Sequence, residues 1–243
     1  MQRENGTDGA LKVFTAGATR EGLAACLPGF TAESRIDVDA PTNHGHLIRE
    51  FAIAGETDAD VVMLPSHMTD ELTQRGLASA EDAITLGTIG IGAAVRTGAA
   101  HPGVSTMAAL ERALRAARSI VLTEAPSGKH MDALIDRLGL RAELEERITR
   151  YDTGTMVNEH LAAGPGDGEV GFGVATEILF FRDRGVDYAG PLPEEAQMRH
   201  VYRAVRLARS ERIDDVRRLF EYLERPESRA AFAATGVERE KRE

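Results

Sequence analysis

Ser119-Ile120-Val121-Leu122-Thr123-Glu124-Ala125-Pro126-Ser127-Gly128-Lys129-His130 reads as a buried strand, then a tight Pro-Ser-Gly turn, then the start of a helix. The helix is marked by apolar residues Met131, Leu134, Ile135, Leu138 and Leu140. A turn in this place sits at a helix N-terminus, where unpaired N–H groups and the positive end of the helix dipole favour an anion. Ser127 adds a hydroxyl, Lys129 a full charge and His130 a titratable ring. The chain has three lysines, Lys12, Lys129 and Lys241, and the one in the interior of the sequence lies in this turn.

The same pattern recurs outward from this stretch. Strand-like Leu11–Thr15 leads through Ala16-Gly17-Ala18-Thr19 into a helix expected over Arg20–Leu27. Ser34–Val38 is a second strand candidate. Thr42-Asn43-His44-Gly45-His46 precedes a helix with Leu47, Ile48, Phe51 and Ile53. Asp60–Leu64 is a strand ending at Pro65, followed by a helix that ends near Gly76. Thr88–Arg96 is strand-like, and Ser105-Thr106 can cap a helix over Met107–Ala117. Ile148–Tyr151 passes through Thr153-Gly154-Thr155 into a helix over Met156–Ala163. Gly164–Gly168 is a loop. Glu169–Val174 passes through Ala175-Thr176-Glu177 into a short helix. Asp187–Leu192 and Val201–Leu207 are extended, and two helices close the chain. Alternating strands and helices predict an α/β architecture with mostly parallel sheets. In such sheets ligands bind beyond the carboxyl ends of the strands, where these turns collect. A single Ser or Thr before a helix is usually only a cap. Five turns rich in Thr, Ser and Gly suit a small anion held largely by neutral donors.

With 243 residues the chain can bury one large core or two small ones. Its formal net charge of −10 argues against non-specific nucleic-acid binding and against a polybasic membrane contact. Attraction of an anion must therefore be local. No apolar run reaches the length of a membrane span. Residues 1–10 are polar and no secretory leader precedes Leu11, so the sequence as written predicts a cytoplasmic protein, or a periplasmic or extracellular one if a leader has been removed. The single cysteine, Cys26, lies on an apolar helical face and reads as a small buried hydrophobe. His44-Gly45-His46 could begin a zinc site, but no third ligand is evident, so neither metal nor other cofactor is expected. Gly128-Lys129 lacks the earlier glycine of a P-loop, and His130 stands where a magnesium-binding Ser or Thr would be. Gly168, Gly171 and Gly173 do not form a dinucleotide fingerprint.

Taken in order, several segments resemble the type II periplasmic binding proteins, in particular the molybdate-binding-protein-like group. Leu11–Ala18 resembles that family's first strand and ligand loop, and Ala54–Pro65 its GxxADVVxLP segment. Gly90–Arg96 with the Pro102 loop resembles its crossover, Gly190-Pro191-Leu192-Pro193 its return, and Phe220–Gly236 its closing helix pair. The resemblance spans residues 11 to 237. It implies two Rossmann-like α/β lobes with a ligand cleft between them: lobe one from 11–87 plus 200–243, lobe two from 88–199, and a polar extension at 1–10. It also implies hinge closure. Molybdate-binding members carry serines where this chain has Thr15–Thr19 and Thr42–His46, which points away from molybdate; the group also includes an aconitate-isomerase-like branch, which shifts a double bond in a tricarboxylate.

Two functions follow. An isomerase shifting a double bond in a di- or tricarboxylate by 1,3-proton transfer needs a base, an acid and donors for an enolate-like intermediate. The candidates are His44, Lys129, His130 and Glu177, with Thr15, Ala16, Gly17, Ala18, Thr19, Thr42, Asn43, Ser127, Gly128, Thr155 and Thr176 holding the ligand. Each has a plain structural alternative: a solvated loop histidine, an exposed lysine, a first-turn helix acid. The other function is a binding protein without chemistry, delivering an oxyanion or organic anion to the permease of an ABC importer or sensing it inside the cell. The partner is a small anion in both cases, and oligomeric state is open.

Overall fold

The structure, a computed structural model, describes residues 9–164 and 167–238. The polar segment before Gly9, two residues of the Gly164–Gly168 loop and the last five residues lie outside it. The strands, in chain order, are β1 (Leu11–Ala16), β2 (Val38–Asp39), β3 (Thr42–Asn43), β4 (Val61–Pro65), β5 (Ala78–Ile89), β6 (Ile91–Arg96), β7 (Ser119–Thr123), β8 (Ile148–Tyr151), β9 (Glu169–Val174), β10 (Val186–Pro191) and β11 (His200–Leu207). The chain forms two compact units, one built from residues up to Thr88 and from His200 onward, the other from Ile89–Arg199.

In the first unit the sheet runs β2-β1-β4-β11-β5, with β3 also pairing β1. β1 is parallel to β2, β3 and β4, and places Thr15 beside Thr42 and Met63. β4 reads Val-Val-Met-Leu-Pro and is buried throughout, as a strand covered on both faces must be. β11 returns the chain to this sheet and runs antiparallel to β4, with Tyr202 opposite Pro65. Helix Arg20–Ser34 packs against helix Pro226–Ala234: Phe232 lies so close to Gly22 that a Cβ there would meet its ring.

In the second unit the order is β10-β6-β9-β7-β8. β7 is parallel to β8 and β9, while β6 runs antiparallel to β9 and β10. Ile120, Leu122, Val170 and Phe172 face helices Met107–Ala116 and Pro126–Arg137, whose Leu110, Leu114, Met131, Leu134 and Ile135 complete one buried cluster. On the opposite face, Val121 and Ala94 meet Val157, Leu161 and Ile178.

The pairings of β1 with β2, β3 and β4 and of β7 with β8 and β9 are parallel, as expected, and the strands flanking the passage between units add antiparallel ones. Three expectations are corrected. The first helix does not stop at Leu27. It carries Pro28 and continues to Ser34, ending at Arg35 in a left-handed conformation (φ 59°). A mid-helix proline loses a hydrogen bond, but Leu23, Cys26 and Phe30 are buried on either side of it and hold the helix together. That extension consumes most of the Ser34–Val38 strand candidate and leaves only Val38–Asp39. Finally, Ala78–Ile89 is a twelve-residue strand that the sequence reading did not find before Thr88.

Candidate functional site

The five turns differ in how many donors they leave over, and this is the test of what each can hold. At Ala16–Thr19 a short 3₁₀ turn leads into the first helix, and neither start has a side-chain cap. Thr15 and Thr19 are almost fully buried, and their hydroxyls lie 2.7 Å apart. Both also reach the Ala16 carbonyl, at 3.0 and 3.2 Å. Their hydroxyls stabilise the turn itself. What this turn can offer an anion is its leading backbone N–H groups at Gly17 and Ala18.

At Thr42–His46 the Asn43 side chain accepts from the His44 N–H at 2.8 Å. Helix Gly45–Ala54 then begins at His44 with no side-chain cap, and its first bond to the cap carbonyl comes from Ile48, at 3.1 Å. The N–H groups of Gly45, His46 and Leu47 therefore point out of the helix start without an intrahelical acceptor. The His44 and His46 rings flank them, exposed and stacked with centroids 5.7 Å apart.

The Pro126–His130 segment is a helix start rather than a turn. Pro126 takes the first helical position, which its fixed φ suits. The Ala125 N–H is taken by the Thr123 hydroxyl at 3.1 Å, and the Gly128 and Lys129 N–H groups both donate to the Ala125 carbonyl, at 3.0 and 3.1 Å. The backbone donor left over is that of Ser127, beside its hydroxyl. Gly128 is packed so tightly against β7 that a Cβ would lie 2.7 Å from the Thr123 carbonyl carbon. Lys129 is exposed, and its ammonium has no carboxylate within ion-pair distance among the described residues. His130 is occupied: its Nε2–H donates to the Ala196 carbonyl at 2.8 Å. The helix is held from behind by Asp132, which accepts from Arg141 at 2.9 Å and from Arg150 at 2.7 Å. Burial alone would push the Asp132 carboxyl up, but these two guanidiniums hold it below the usual carboxylate range.

The last two turns differ: one is capped from within, and the other leaves a buried hydroxyl without a partner among the described residues. Thr153 caps helix Gly154–Ala163 through the Met156 N–H at 3.2 Å. The Glu177 carboxylate lies over that helix start, with its Cδ 3.2 Å from where a Cβ on Gly154 would be. Thr155 is exposed. Thr176 is buried, and its hydroxyl has no partner among the described residues. Glu177 thus occupies a helix N-terminus itself, the place expected for a ligand carboxylate.

Two histidines escaped the sequence reading. His67 is on the first turn of helix Ser66–Gln74, which also lacks a side-chain cap, and His200 opens β11. Their rings are 6.1 Å apart. The signal was present: Leu64-Pro65-Ser66-His67 is another strand running through small residues into a helix. Cys26 is buried, and burial pushes its thiol up, in keeping with a packing role. Among the described residues no group of three or more His, Cys, Asp or Glu could hold a metal, and no helix is long and apolar enough to cross a membrane. A cavity of about 340 Å³ in the second unit is lined by Pro102, Ala113, Ala117 and Gly168. It lies at the amino ends of β7 and β9, the opposite end from the turns.

Two α/β units with donor-bearing helix starts at the carboxyl ends of their strands define a solute-binding architecture. The chain belongs to the bacterial extracellular solute-binding protein family, whose model matches residues 11–238. It is 24% identical over 234 residues to an aconitate isomerase from Pseudomonas sp, covering 93% of this chain and 87% of that protein. Its fold is similar to that of the periplasmic molybdate-binding protein of Azotobacter vinelandii (TM-score 0.70, 19% identity, 93% of this chain and 98% of that one). It is similar too to the sulfate-binding protein SubI of Mycobacterium tuberculosis H37Rv (TM-score 0.71, 14% identity, 95% and 86%).

Proposed function

We propose that this protein binds a small carboxylate or oxyanion at these helix starts and, when the ligand is an unsaturated di- or tricarboxylate, moves its double bond by a 1,3-proton shift. The observation that carries the binding is Lys129: an exposed ammonium with no carboxylate partner among the described residues, beside the Ser127 N–H and hydroxyl, in a chain of net charge −10. The aconitate isomerase likeness, at 93% of the chain, supports the chemistry. In that reaction a base removes a proton from the carbon next to a carboxylate. The electron pair moves into the conjugated system, and an acid returns a proton to the far carbon. The exposed His44 imidazole, beside an uncapped helix start, is the proposed base. The N–H groups of Gly45, His46 and Leu47 beside it stabilise the negative charge that develops. The hydrogen bond His130 makes to the Ala196 carbonyl suits positioning better than proton transfer.

A second reading, a non-catalytic binding protein serving an ABC permease or an intracellular anion sensor, is favoured by the family to which the chain belongs and by the bond that occupies His130. Incubation with trans- and cis-aconitate in heavy water, followed by proton NMR, separates the two. Solvent deuterium in the ligand or a moved double bond is expected of the isomerase. Tight binding without exchange would leave the binding protein. In either case Lys129→Ala is expected to weaken anion binding by about 1–3 kcal/mol, the range for a charge-assisted hydrogen bond. Unchanged affinity in a calorimetric titration would remove Lys129 from the site.

A further inference from the structure

We propose that the cavity at the amino ends of β7 and β9 is a second ligand site, separate from the turns, for a small monocarboxylate with an apolar body.

The cavity lies wholly within the second unit, and its volume of about 340 Å³ is in the range of small-molecule sites. One wall is a face of helix Met107–Ala116. Leu110 and Leu114 of that helix are buried in the core, while Ala109, Arg112, Ala113 and Ala116 recur at the i, i+3, i+4, i+7 spacing of a neighbouring face and line the cavity. Alanine at three of these four positions leaves room that leucine would fill. The loop at Pro102 and Gly103 meets the start of that face: a Cβ on Gly103 would lie 3.9 Å from the Ala109 Cβ. The turn at Gly168 borders the cavity where the helix gives way to β7. Its carbonyl accepts from the Arg118 N–H at 2.7 Å, and its φ of 79° is one that glycine adopts without strain.

Charge gives the ligand its class. Arg112 lines the cavity and makes no ion pair among the described residues. Its helical neighbours three and four residues away are Ala108, Ala109, Arg115 and Ala116, none of them acidic. Arg115, by contrast, is held by Glu111 at 3.0 Å and by Glu143. Arg118 is a second exposed guanidinium without an ion pair among the described residues, and its Nε would lie 3.9 Å from a Cβ on Gly168. The acid that borders the cavity is Glu169, and its carboxylate is turned away. Val170 joins the cluster of Leu110 and Leu114, and successive side chains of a strand point to opposite faces. Glu169 Oε1 accordingly lies 3.3 Å from Nε2 of His160, on the helix that covers the other face. The remaining lining side chains are those of alanine, proline, valine and glycine, with no hydrogen-bonding group to offer, so the body of the ligand must be apolar. The planar fork of Arg112 suits a carboxylate. In a chain of net charge −10 an arginine without an ion pair at a cavity wall supplies the local attraction that an anion needs.

The test is a titration with hexanoate, followed by ligand-observed proton NMR and by calorimetry. Acetate, which lacks the apolar body, and hexanamide, which lacks the charge, are the comparison probes. Hexanoate is expected to bind about tenfold or more tighter than either, since each comparison probe loses one of the two contacts. Arg112→Gln, a change on the surface, is expected to lower hexanoate affinity about tenfold, the value of one charge-assisted hydrogen bond, and to weaken its salt dependence. Ala113→Leu, checked for fold by circular dichroism, fills the cavity and is expected to abolish binding. An excess of propane-1,2,3-tricarboxylate is expected to leave bound hexanoate in place. Hexanoate that binds no better than acetate and hexanamide, that binds Arg112→Gln or Ala113→Leu as tightly as wild type, or that the tricarboxylate displaces, would overturn the second site.

Discussion

Replacing Asp82 with alanine is expected to destabilise the first unit by about 3 kcal/mol, the low end of the cost of breaking a buried ion pair from one side. Asp82 is 5% exposed and lies in β5. It accepts from Arg206 of β11 at 2.8 Å, from Arg217 of helix Ile213–Leu223 at 2.7 Å, and from the Ser79 hydroxyl at 3.2 Å. Arg206 is itself largely buried, so removing the carboxylate strands a guanidinium whose remaining partners are the Leu207 and Ser210 carbonyls. Burial alone would push the Asp82 carboxyl up, but the hydrogen bonds from Arg217 and Arg206 outweigh it and hold the group below the usual carboxylate range. A depressed native pKa stabilises the fold at pH values above the unfolded pKa, roughly 3.9, and that stability is lost as pH falls through the native pKa. Urea denaturation at pH 7 reads the loss, and the difference between wild type and Asp82→Ala should shrink as pH falls below about 4. An unchanged urea midpoint would show that the two arginines find other partners.

Asp82 also shows why part of this fold was hidden in the sequence. Buried apolar strands such as Val61–Pro65 and Ser119–Thr123 announce themselves by composition. Ala78–Ile89 does not, because its first half carries Glu81 and Asp82 and its buried acid is explained only by arginines 124 and 135 residues away. The candidate site divides the same way. Strand–turn–helix units were legible, because small residues before an apolar periodic segment are local signals. Which donors stay free was not legible: it depends on contacts such as Thr123 with Ala125, Glu177 over Gly154 and His130 with Ala196. His67 and His200 become a pair only through the antiparallel pairing of β4 with β11, which no local pattern encodes.

Gly128→Ala is expected to have the largest effect on binding, with at least a tenfold loss of anion affinity and a destabilisation of about 1–3 kcal/mol, the usual range for overpacking. The glycine is required by close approach rather than by an unusual dihedral. A Cβ at this position collides with the Thr123 carbonyl and lies 2.8 Å from the Thr123 nitrogen. Backbone cannot rotate away as a side chain can, so the helix start must lift off β7. Lifting it breaks the bonds from Gly128 and Lys129 to the Ala125 carbonyl and moves the Ser127 N–H and the Lys129 ammonium together. Lys129→Ala removes one charge and leaves the frame intact, so its effect should fall on affinity alone. Gly128→Ala should lower both affinity and the urea midpoint of the second unit. If affinity drops in Gly128→Ala but not in Lys129→Ala, the Ser127 backbone donor holds the anion and the lysine is a bystander. If it drops in neither, the anion is held by the helix starts of the first unit, where the N–H groups of Gly45, His46 and Leu47 lack an intrahelical acceptor.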